Sequence, residues 1–266
     1  MRDPVHPDST SGGLRGKIAV VVGAGRGIGQ ATAMALSSAG AQTHVVARTA
    51  RDLQATVSAI KARAGQATAH VADITDSAQV RALADELRAA HGRVDILVNS
   101  AGSSFIGSLD ETTEETWDLL INTNLKGPYL CIRAMLDLLR ASGSAWVVNL
   151  SSKVGLTGHA WVSAYTAAKS GLVGFGRALA QELGTQGVRV LTLCPGPVDT
   201  PMRWSATPDL DPALTIPPEA IAQTILFLVS LEDHVSVGSE FVLEALGYRE
   251  SAVPIAPVGP PAGGGK

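Results

Sequence analysis

The sequence contains few charged residues, few aromatic residues and almost no cysteine, and its net charge and its cysteines each exclude a class of protein. Charged residues make up 17% of the 266 residues and aromatic residues 4%, and the formal net charge is −3. Because nucleic-acid-binding proteins usually carry a marked positive charge, we expect no nucleic-acid partner. The two cysteines, Cys131 and Cys194, form no CxxC pair and have no metal-ligand spacing. We therefore expect buried free thiols in a reducing compartment, and no bound metal.

The sequence also lacks a long apolar run. No stretch reaches the roughly 20 apolar residues that a membrane-spanning helix needs. Residues 1–16 are polar, include Pro4 and Pro7, and have no apolar core of a signal peptide. These absences lead us to expect a cytoplasmic protein with no membrane partner.

Hydrophobic residues are abundant, and they fall in short runs between glycine-rich turns. They make up 45% of the chain, beside 28 glycines. This composition is typical of a well-buried globular domain with many tight turns. We predict a single domain over residues 14–250, with a flexible tail at 1–13 and another at 251–266, which is rich in proline and glycine.

Strand-like and helix-like segments alternate along this domain. Short apolar or β-branched runs predict strands at 17–22, 42–47, 66–71, 94–98, 145–150, 189–193 and 240–243. Helical spacing predicts helices at 27–39, 50–64, 77–91 (capped by Asp76), 114–141 (kinked at Pro128), 164–183 and 218–231. The alternation predicts an α/β fold, a doubly wound parallel sheet of about seven strands with helices on both faces. Ligands of such sheets bind at the carboxyl ends of the strands.

A glycine-rich turn follows the first predicted strand and opens the first helix. It reads GAGRGIG, with Gly23, Gly27 and Gly29 at the key positions. Glycines here allow a tight turn and let backbone N–H groups approach a pyrophosphate at the helix N-terminus. Close packing of strand and helix explains the same glycines, and both interpretations can hold together. The candidate cofactor contacts in the turn are Gly23, Gly25, Arg26, Gly27, Ile28 and Gly29.

The residues after the second predicted strand indicate which dinucleotide binds. An acidic residue at this point would bind the ribose 2′-hydroxyl of NAD, but the sequence has Ala47, followed by Arg48 and Thr49. An arginine suits a 2′-phosphate, which a carboxylate would repel. Arg26 adds a second cation near the same place. A solvated arginine after a strand is the plain alternative, and we expect NADP(H) in preference to NAD(H).

A serine, a tyrosine and a lysine form a candidate proton-transfer set. Tyr165 and Lys169 lie four residues apart in a predicted helix, so they share a face, and Ser152 precedes them. An ammonium near a phenol would lower a pKa that starts near 10, which gives a proton donor usable near neutral pH. The same spacing also occurs in ordinary helices that merely carry a tyrosine and a lysine on one face.

Together these residues resemble the short-chain dehydrogenase/reductase family, in the single-domain branch that includes 3-oxoacyl-acyl-carrier-protein reductases. The resemblance covers residues 14–247 and implies a Rossmann-type fold. Val22 stands where the family usually has a threonine before the glycine turn. The resemblance implies further cofactor contacts at Asp73, Ile74, Asn99, Ala101, Gly102, Tyr165, Lys169, Pro195, Gly196, Val198 and Thr200.

The resemblance also implies the catalytic roles. Tyr165 is expected to give a proton to a carbonyl oxygen as hydride reaches the carbonyl carbon, and Ser152 to bind the same oxygen. Lys169 is expected to lower the pKa of Tyr165 and to hold the nicotinamide ribose. Asn124 is expected to hold a water that links Lys169 to solvent.

The substrate side of the site is defined less closely. His159 and Trp161 lie between the serine and the tyrosine in sequence and are expected at the substrate mouth, although plain packing explains them equally well. Residues 202–204 follow Thr200, where this fold usually carries a mobile lid, and the lid is expected to be short. The expected partner is a small-molecule carbonyl or alcohol substrate.

Three functions stay open at this point. The first is an NADP(H)-dependent carbonyl reductase or alcohol dehydrogenase. The second is a catalytically inactive dinucleotide-binding sensor or scaffold, against which the complete set of Asn124, Ser152, Tyr165 and Lys169 argues. The third is a nucleotide-sugar epimerase or dehydratase, whose glycine spacing and longer substrate domain the sequence does not show. The family resemblance implies a homodimer or homotetramer, and the altered C-terminal ending at 241–247 weakens the case for the tetramer.

Overall fold

The structure, a computed structural model, describes residues 13–231 and 239–245. The predicted tails at 1–13 and 251–266 lie outside the described residues, except for Gly13. The proposed domain limits of 14–250 therefore stay a prediction. Within the described part of the chain, no helix is both long enough and apolar enough to cross a membrane.

Seven parallel strands form one sheet in the order β3-β2-β1-β4-β5-β6-β7. The strands are β1 Ile18–Val22, β2 Gln42–Ala47, β3 Gln66–Val71, β4 Ile96–Asn99, β5 Ala145–Leu150, β6 Val188–Pro195 and β7 Glu240–Leu243. The strand order reverses between β1 and β4, which is the switch point where ligands of such sheets bind. The predicted fold class is confirmed.

Helices cover both faces of the sheet. They are α1 Gly27–Ser38, α2 Ala50–Lys61, α3 Ser77–His91, α4 Glu114–Ile121, α5 Gly127–Ser142, α6 Val154–Thr157, α7 Ser163–Leu183, α8 Pro201–Ala206 and α9 Pro218–Val229. The sequence analysis did not predict the short helices α6 and α8. Both follow the carboxyl ends of strands, where they border the candidate site.

The central strand β1 is apolar at every position, without alternation, because both of its faces are buried. Ala19 and Val21 belong to a buried cluster shared with α1 and α9. Val20 and Val22 belong to a second buried cluster, shared with α3 and α5. Because successive side chains of a strand point to opposite faces, a strand covered on both sides must be apolar at every position.

The helix α3 begins and ends at the residues that the sequence indicates. The Asp76 carboxylate accepts hydrogen bonds from the backbone N–H groups of Ala78 and Gln79, which caps the helix N-terminus. Gly92 ends the helix with a φ of 68°, a left-handed conformation that glycine adopts without steric cost.

The helix predicted at 114–141 is divided into α4 and α5 by a π-helical turn, Asn122–Lys126. Pro128 lies in the first turn of α5, where its missing N–H costs little, so the irregularity precedes the proline. In this turn the Asn124 side chain donates a 2.9 Å hydrogen bond to the backbone oxygen of Leu120. The predicted interruption exists, but it is a π-helical turn that precedes Pro128. The Asn124 side chain hydrogen-bonds a backbone oxygen of α4 in this turn.

Both cysteines are buried free thiols, as predicted. Burial raises the pKa of Cys131 to about 12 and that of Cys194 to about 11. Thiols with such pKa values are not reactive near neutral pH.

Candidate active site

The glycine turn brings the backbone of β1 close to the segment after β4. A Cβ on Gly23, which has a φ of 80°, would stand 2.5 Å from the backbone nitrogen of Ala101. A Cβ on Gly29 would stand 2.2 Å from the oxygen of Gly23. Gly29 is buried beneath the turn and does not line the cleft above it. The lack of a side chain at Gly29 therefore serves packing, and its cofactor contact stays a prediction.

Most of the predicted cofactor residues line a cleft that runs across the carboxyl ends of the central strands. Those that line it are Gly23, Gly25, Arg26, Gly27, Ile28, Arg48, Thr49, Asp73, Ile74, Ala101, Gly102, Tyr165, Lys169 and Thr200. Pro195, Gly196 and Val198 instead line an adjoining cavity. The two cavities meet at Tyr165 and Thr200, which belong to both.

Asn99, like Gly29, is a predicted cofactor residue that lines neither cavity. It is buried at the end of β4, and its Nδ2 donates a 2.9 Å hydrogen bond to Asn149 Oδ1 of β5. The asparagine therefore joins two neighbouring strands below the site, which is a supporting role.

The cleft fits a dinucleotide at its phosphate-binding end. Among the described residues no side chain caps the N-terminus of α1, so its first N–H groups are left to bind an anion. A Cβ on Gly27 would stand 3.0 Å from Thr200 Cγ2, and a Cβ on Gly25 would stand 2.9 Å from Asp52 Cβ. A side chain at either position would therefore crowd Thr200 or Asp52.

The far end of the cleft carries both signs of charge. Arg26 and Arg48 line it, and Arg48 Nη1 lies 3.9 Å from Asp73 Oδ2 in a solvent-exposed ion pair. Such a long, exposed pair holds an arginine only weakly, so its guanidinium remains able to bind a phosphate. Asp52 also lines this end, and the sequence analysis missed it. The family pattern points to the end of β2 for an acid, whereas Asp52 lies in the first turn of α2.

The helix α7 places Tyr165 and Lys169 at the junction of the two cavities. Lys169 Nζ lies 5.6 Å from the centre of the Tyr165 ring. Ser152, which follows β5, hydrogen-bonds the tyrosine. The predicted set of three residues is therefore brought together in the structure.

The protonation of this set differs from the sequence-based prediction. Burial raises the pKa of Tyr165 to about 12, although the Ser152 hydrogen bond and the positive charge of Arg203 act in the opposite direction. Burial also lowers the pKa of Lys169 to about 8. The expectation that Lys169 holds the tyrosine pKa below 10 is wrong for this structure, because desolvation of the phenol outweighs the charges around it.

Asn124 is buried beside this set. Its Nδ2 donates a 2.9 Å hydrogen bond to the oxygen of Ser103, and its Oδ1 accepts one of 3.3 Å from the nitrogen of the same residue. A Cβ on Gly102 would stand 2.9 Å from Asn124 Oδ1 and 3.8 Å from Lys169 Nζ. The asparagine therefore fixes the loop after β4, and Gly102 lies between it and the lysine.

The adjoining cavity lies on the far side of Tyr165 and is the candidate substrate site. Ser152 and His159 line it, as does Arg203 of α8, whose nearness to the tyrosine the sequence analysis did not predict. Trp161 is exposed and does not line this cavity, so only one of the two residues expected at the mouth is found there. Within the described part of the chain, no group of histidine, cysteine and acidic residues is arranged to hold a metal ion.

Comparisons with known proteins agree with this architecture. A family model described as short chain dehydrogenase matches residues 17–211. The (2S)-[(R)-hydroxy(phenyl)methyl]succinyl-CoA dehydrogenase subunit BbsD of Thauera aromatica is 36% identical over 225 residues, which cover 81% of this chain and 90% of that protein. The 3-oxoacyl-acyl-carrier-protein reductase of Thermotoga maritima is 31% identical over 233 residues, which cover 85% and 95%.

Solved structures give the same result. The crystal structure of a metagenomic short-chain oxidoreductase in complex with NADP superposes with a TM-score of 0.76 at 37% sequence identity. The match covers 87% of this chain and 98% of that one. With the sheet order, the glycine turn and the serine, tyrosine and lysine at its edge, these matches show that the chain belongs to the short-chain dehydrogenase family of oxidoreductases.

Proposed function

We propose that this protein is an NADP(H)-dependent oxidoreductase that interconverts a carbonyl group and a secondary alcohol in a small molecule. The observation that carries the proposal is the position of Tyr165, which lines both the dinucleotide cleft and the adjoining cavity. A group at that junction can reach a substrate while a bound cofactor lies beside it. Ser152 and Lys169 accompany the tyrosine there.

The bound cofactor would supply or accept the hydride at the substrate carbon. The protein's own part is proton transfer and binding. In reduction, Tyr165 donates its phenolic proton to the carbonyl oxygen, and the Ser152 hydroxyl hydrogen-bonds the same oxygen as negative charge grows on it. A pKa of about 12 keeps the tyrosine protonated near neutral pH, which suits a proton donor.

Lys169 and Asn124 have supporting roles in this proposal. Lys169 would bind the hydroxyl groups of the nicotinamide ribose from below the cleft. Asn124 would hold the loop after β4 in place and connect the lysine to solvent, so that Tyr165 is reprotonated between turnovers. The shared position of both side chains around Gly102 supports this arrangement.

The preference for NADP(H) rests on Arg26 and Arg48, which line the end of the cleft where the adenosine ribose would lie. A 2′-phosphate there would make charge-assisted hydrogen bonds with one or both guanidinium groups. Asp52 works against this preference through its negative charge, so the arginines must outweigh it. The metagenomic relative described above was solved with NADP, which supports the same choice.

Oxidation of NADPH in the presence of a panel of small ketones tests the proposal, with wild type and Tyr165→Phe compared. The phenylalanine variant should lose several powers of ten in kcat while it still binds the cofactor. The exposed Tyr129 provides the matched control, because Tyr129→Phe should leave kcat unchanged. Equal turnover by Tyr165→Phe would refute the proton-transfer role. Cofactor binding without turnover of any ketone or alcohol would favour a sensor or scaffold.

We also propose a homodimer or homotetramer. The exposed large apolar side chains of Trp117 and Leu119 on α4 and of Tyr129 on α5 support it, since a subunit interface would cover such side chains. Light scattering of the purified protein tests this directly, and a monomer across the working concentration range would contradict it.

A further inference from the structure

Three consecutive residues at the end of β5 contact the tyrosine and the lysine of the candidate site. The backbone oxygen of Leu150 accepts a 2.7 Å hydrogen bond from Lys169 Nζ, and Ser152 hydrogen-bonds Tyr165. Between them, Ser151 Oγ donates a 2.9 Å hydrogen bond to the backbone oxygen of Lys169. The side chain and the main chain of the lysine are therefore both tied to the same short segment.

The hydrogen bond from Ser151 joins the end of β5 to the second turn of α7. The serine is only 5% exposed, so water does not compete for its hydroxyl. The helix does not need this bond for its own backbone, because a carbonyl oxygen has two lone pairs and the helical ladder uses one. The bond instead holds α7 against the sheet at the residue whose ammonium enters the site.

The packing around this bond is close. A Cβ on Gly155 would stand 2.9 Å from the carbonyl carbon and oxygen of Lys169, and 3.0 Å from Ser151 Oγ. Ser170 Oγ donates a 2.7 Å hydrogen bond to the backbone oxygen of Gly155, which fastens α7 to α6 one residue after the lysine. This second bond does not involve Ser151. Loss of the Ser151 hydroxyl should therefore leave α7 docked while the turn that carries the lysine gains freedom.

We propose that Ser151 is a positioning residue, which fixes the place of Lys169 through the lysine's own backbone. This proposal rests on the proposed function, in which Lys169 binds the nicotinamide ribose and assists Tyr165. A displacement of about 1 Å in a site of this kind can lower a rate about a hundredfold. Because the Ser170 bond remains, Ser151→Ala should have a smaller effect and lower kcat about tenfold at saturating NADPH.

Ser151 also lines both cavities, so a direct contact with a ligand must be separated from an effect through Lys169. A double-mutant cycle on cofactor binding separates the two. The dissociation constant of NADPH, followed by its fluorescence, is measured for wild type, Ser151→Ala, Lys169→Met and the double variant. If the serine acts through the lysine, the effects of the two substitutions do not multiply.

Ser151→Ala should weaken NADPH binding about threefold to tenfold in the wild-type background, and by less than about twofold in the Lys169→Met background. Ser151→Cys keeps a weak S–H donor and should fall between wild type and Ser151→Ala. If Ser151→Ala does not fold, the same cycle is measured with Ser151→Cys.

Ser37→Ala is the matched control. The Ser37 hydroxyl also donates to a distant backbone oxygen, that of Gln66, and its residue is likewise 5% exposed. It lies near the end of α1 and lines neither cavity. Its loss should change neither NADPH binding nor kcat, so an effect seen only at Ser151 does not come from a lost buried hydrogen bond as such.

The possible failures are distinguishable. Equal weakening by Ser151→Ala in both backgrounds would show that the serine acts on the cofactor without the lysine. Unchanged binding or unchanged kcat in Ser151→Ala would show that Lys169 keeps its place without the serine. Each of these results overturns the proposal and leaves the proposed function intact. If Lys169→Met itself binds NADPH and reduces ketones as wild type does, the proposed role of the lysine fails, and the role of Ser151 fails with it.

Discussion

Lys169 Nζ donates a 2.7 Å hydrogen bond to the backbone oxygen of Leu150, the last residue of β5. The side chain is only 4% exposed, so this bond fixes the ammonium to the edge of the sheet. The tyrosine ring lies beside it, with its centre 5.6 Å from Nζ. The lysine therefore has a defined position before any cofactor is bound, and its charge is held there at a cost in stability.

That cost leads to a first prediction, that Lys169→Met abolishes activity but stabilises the cofactor-free protein at pH 7. Burial lowers the pKa of Lys169 from 10.5 to about 8, which corresponds to about 3 kcal/mol of destabilisation by the charged form. The variant also loses the hydrogen bond to Leu150, worth about 1 to 2 kcal/mol. The free energy of unfolding should therefore rise by about 1 to 2 kcal/mol.

Urea unfolding at several pH values checks this prediction. Between pH 8 and 10.5 the unfolded state holds the lysine proton and the folded state releases it, so wild-type stability rises with pH. The difference between variant and wild type should shrink over that interval. Lys61→Met, an exposed position of α2, should show no such dependence. A variant less stable than wild type at pH 7 would contradict the prediction.

Gly102→Ala should lower kcat/KM about tenfold or more with little loss of stability. The added methyl group would stand 2.9 Å from Asn124 Oδ1, so the asparagine or the loop after β4 must move. Steady-state kinetics and thermal unfolding are measured together. Gly174→Ala in α7 is the control, because beyond the adjacent backbone of its own helix no described atom lies within 4 Å of its Cβ position, and its activity should equal that of wild type.

Arg48→Ala should raise KM for NADPH about tenfold and leave KM for NADH nearly unchanged, because only NADPH has a 2′-phosphate for the arginine to bind. Asp52→Asn should act in the opposite direction and lower KM for NADPH. Arg51→Ala, an exposed neighbour outside the cleft, should change neither value. Equal effects of Arg48→Ala on both cofactors would show that the arginine does not select between them.

His44 should make the protein less stable in mild acid. It is buried in β2, with Nδ1 2.9 Å from His70 Nε2 and its ring against His91. Burial, together with the charges of these two histidines, lowers its pKa from 6.5 to about 4. Between pH 6.5 and 4 the unfolded state binds the proton that the folded state excludes, so stability falls as pH falls, by about 3 kcal/mol in total.

Urea unfolding of wild type and His44→Leu from pH 7 to 4 measures this contribution. Other groups also titrate over this range and are common to both proteins, so the difference between the two curves reports His44 together with its coupling to His70 and His91. Wild type should lose stability relative to the variant as the pH falls. Parallel curves would mean that the histidine is not excluded from protonation.

The parts of this protein that the sequence predicts are those governed by local spacing. The apolar run of β1 is uninterrupted because both its faces are covered, and the glycine turn follows from its need to approach another backbone segment. Tyr165 and Lys169 share a helix face because they lie four residues apart. Each of these depends on a few neighbouring residues, so pattern and family resemblance suffice.

The parts that the sequence did not predict depend on contacts between distant segments. The partner of Lys169 is the backbone oxygen of Leu150, and backbone atoms carry no residue-specific signal. The raised pKa of Tyr165 reflects burial by the whole site, which spacing does not reveal. Asp52 and Arg203 enter their cavities from helices whose placement only the folded chain defines.

The two cavities share a wall in which Thr200 and Met202 take part on both sides. Alterations in this short segment would change cofactor affinity and substrate selectivity together. His159 and Val162 line the second cavity alone. Efforts to redirect the enzyme to new substrates should therefore begin at these two positions, where selectivity can be varied without disturbing how the dinucleotide is held.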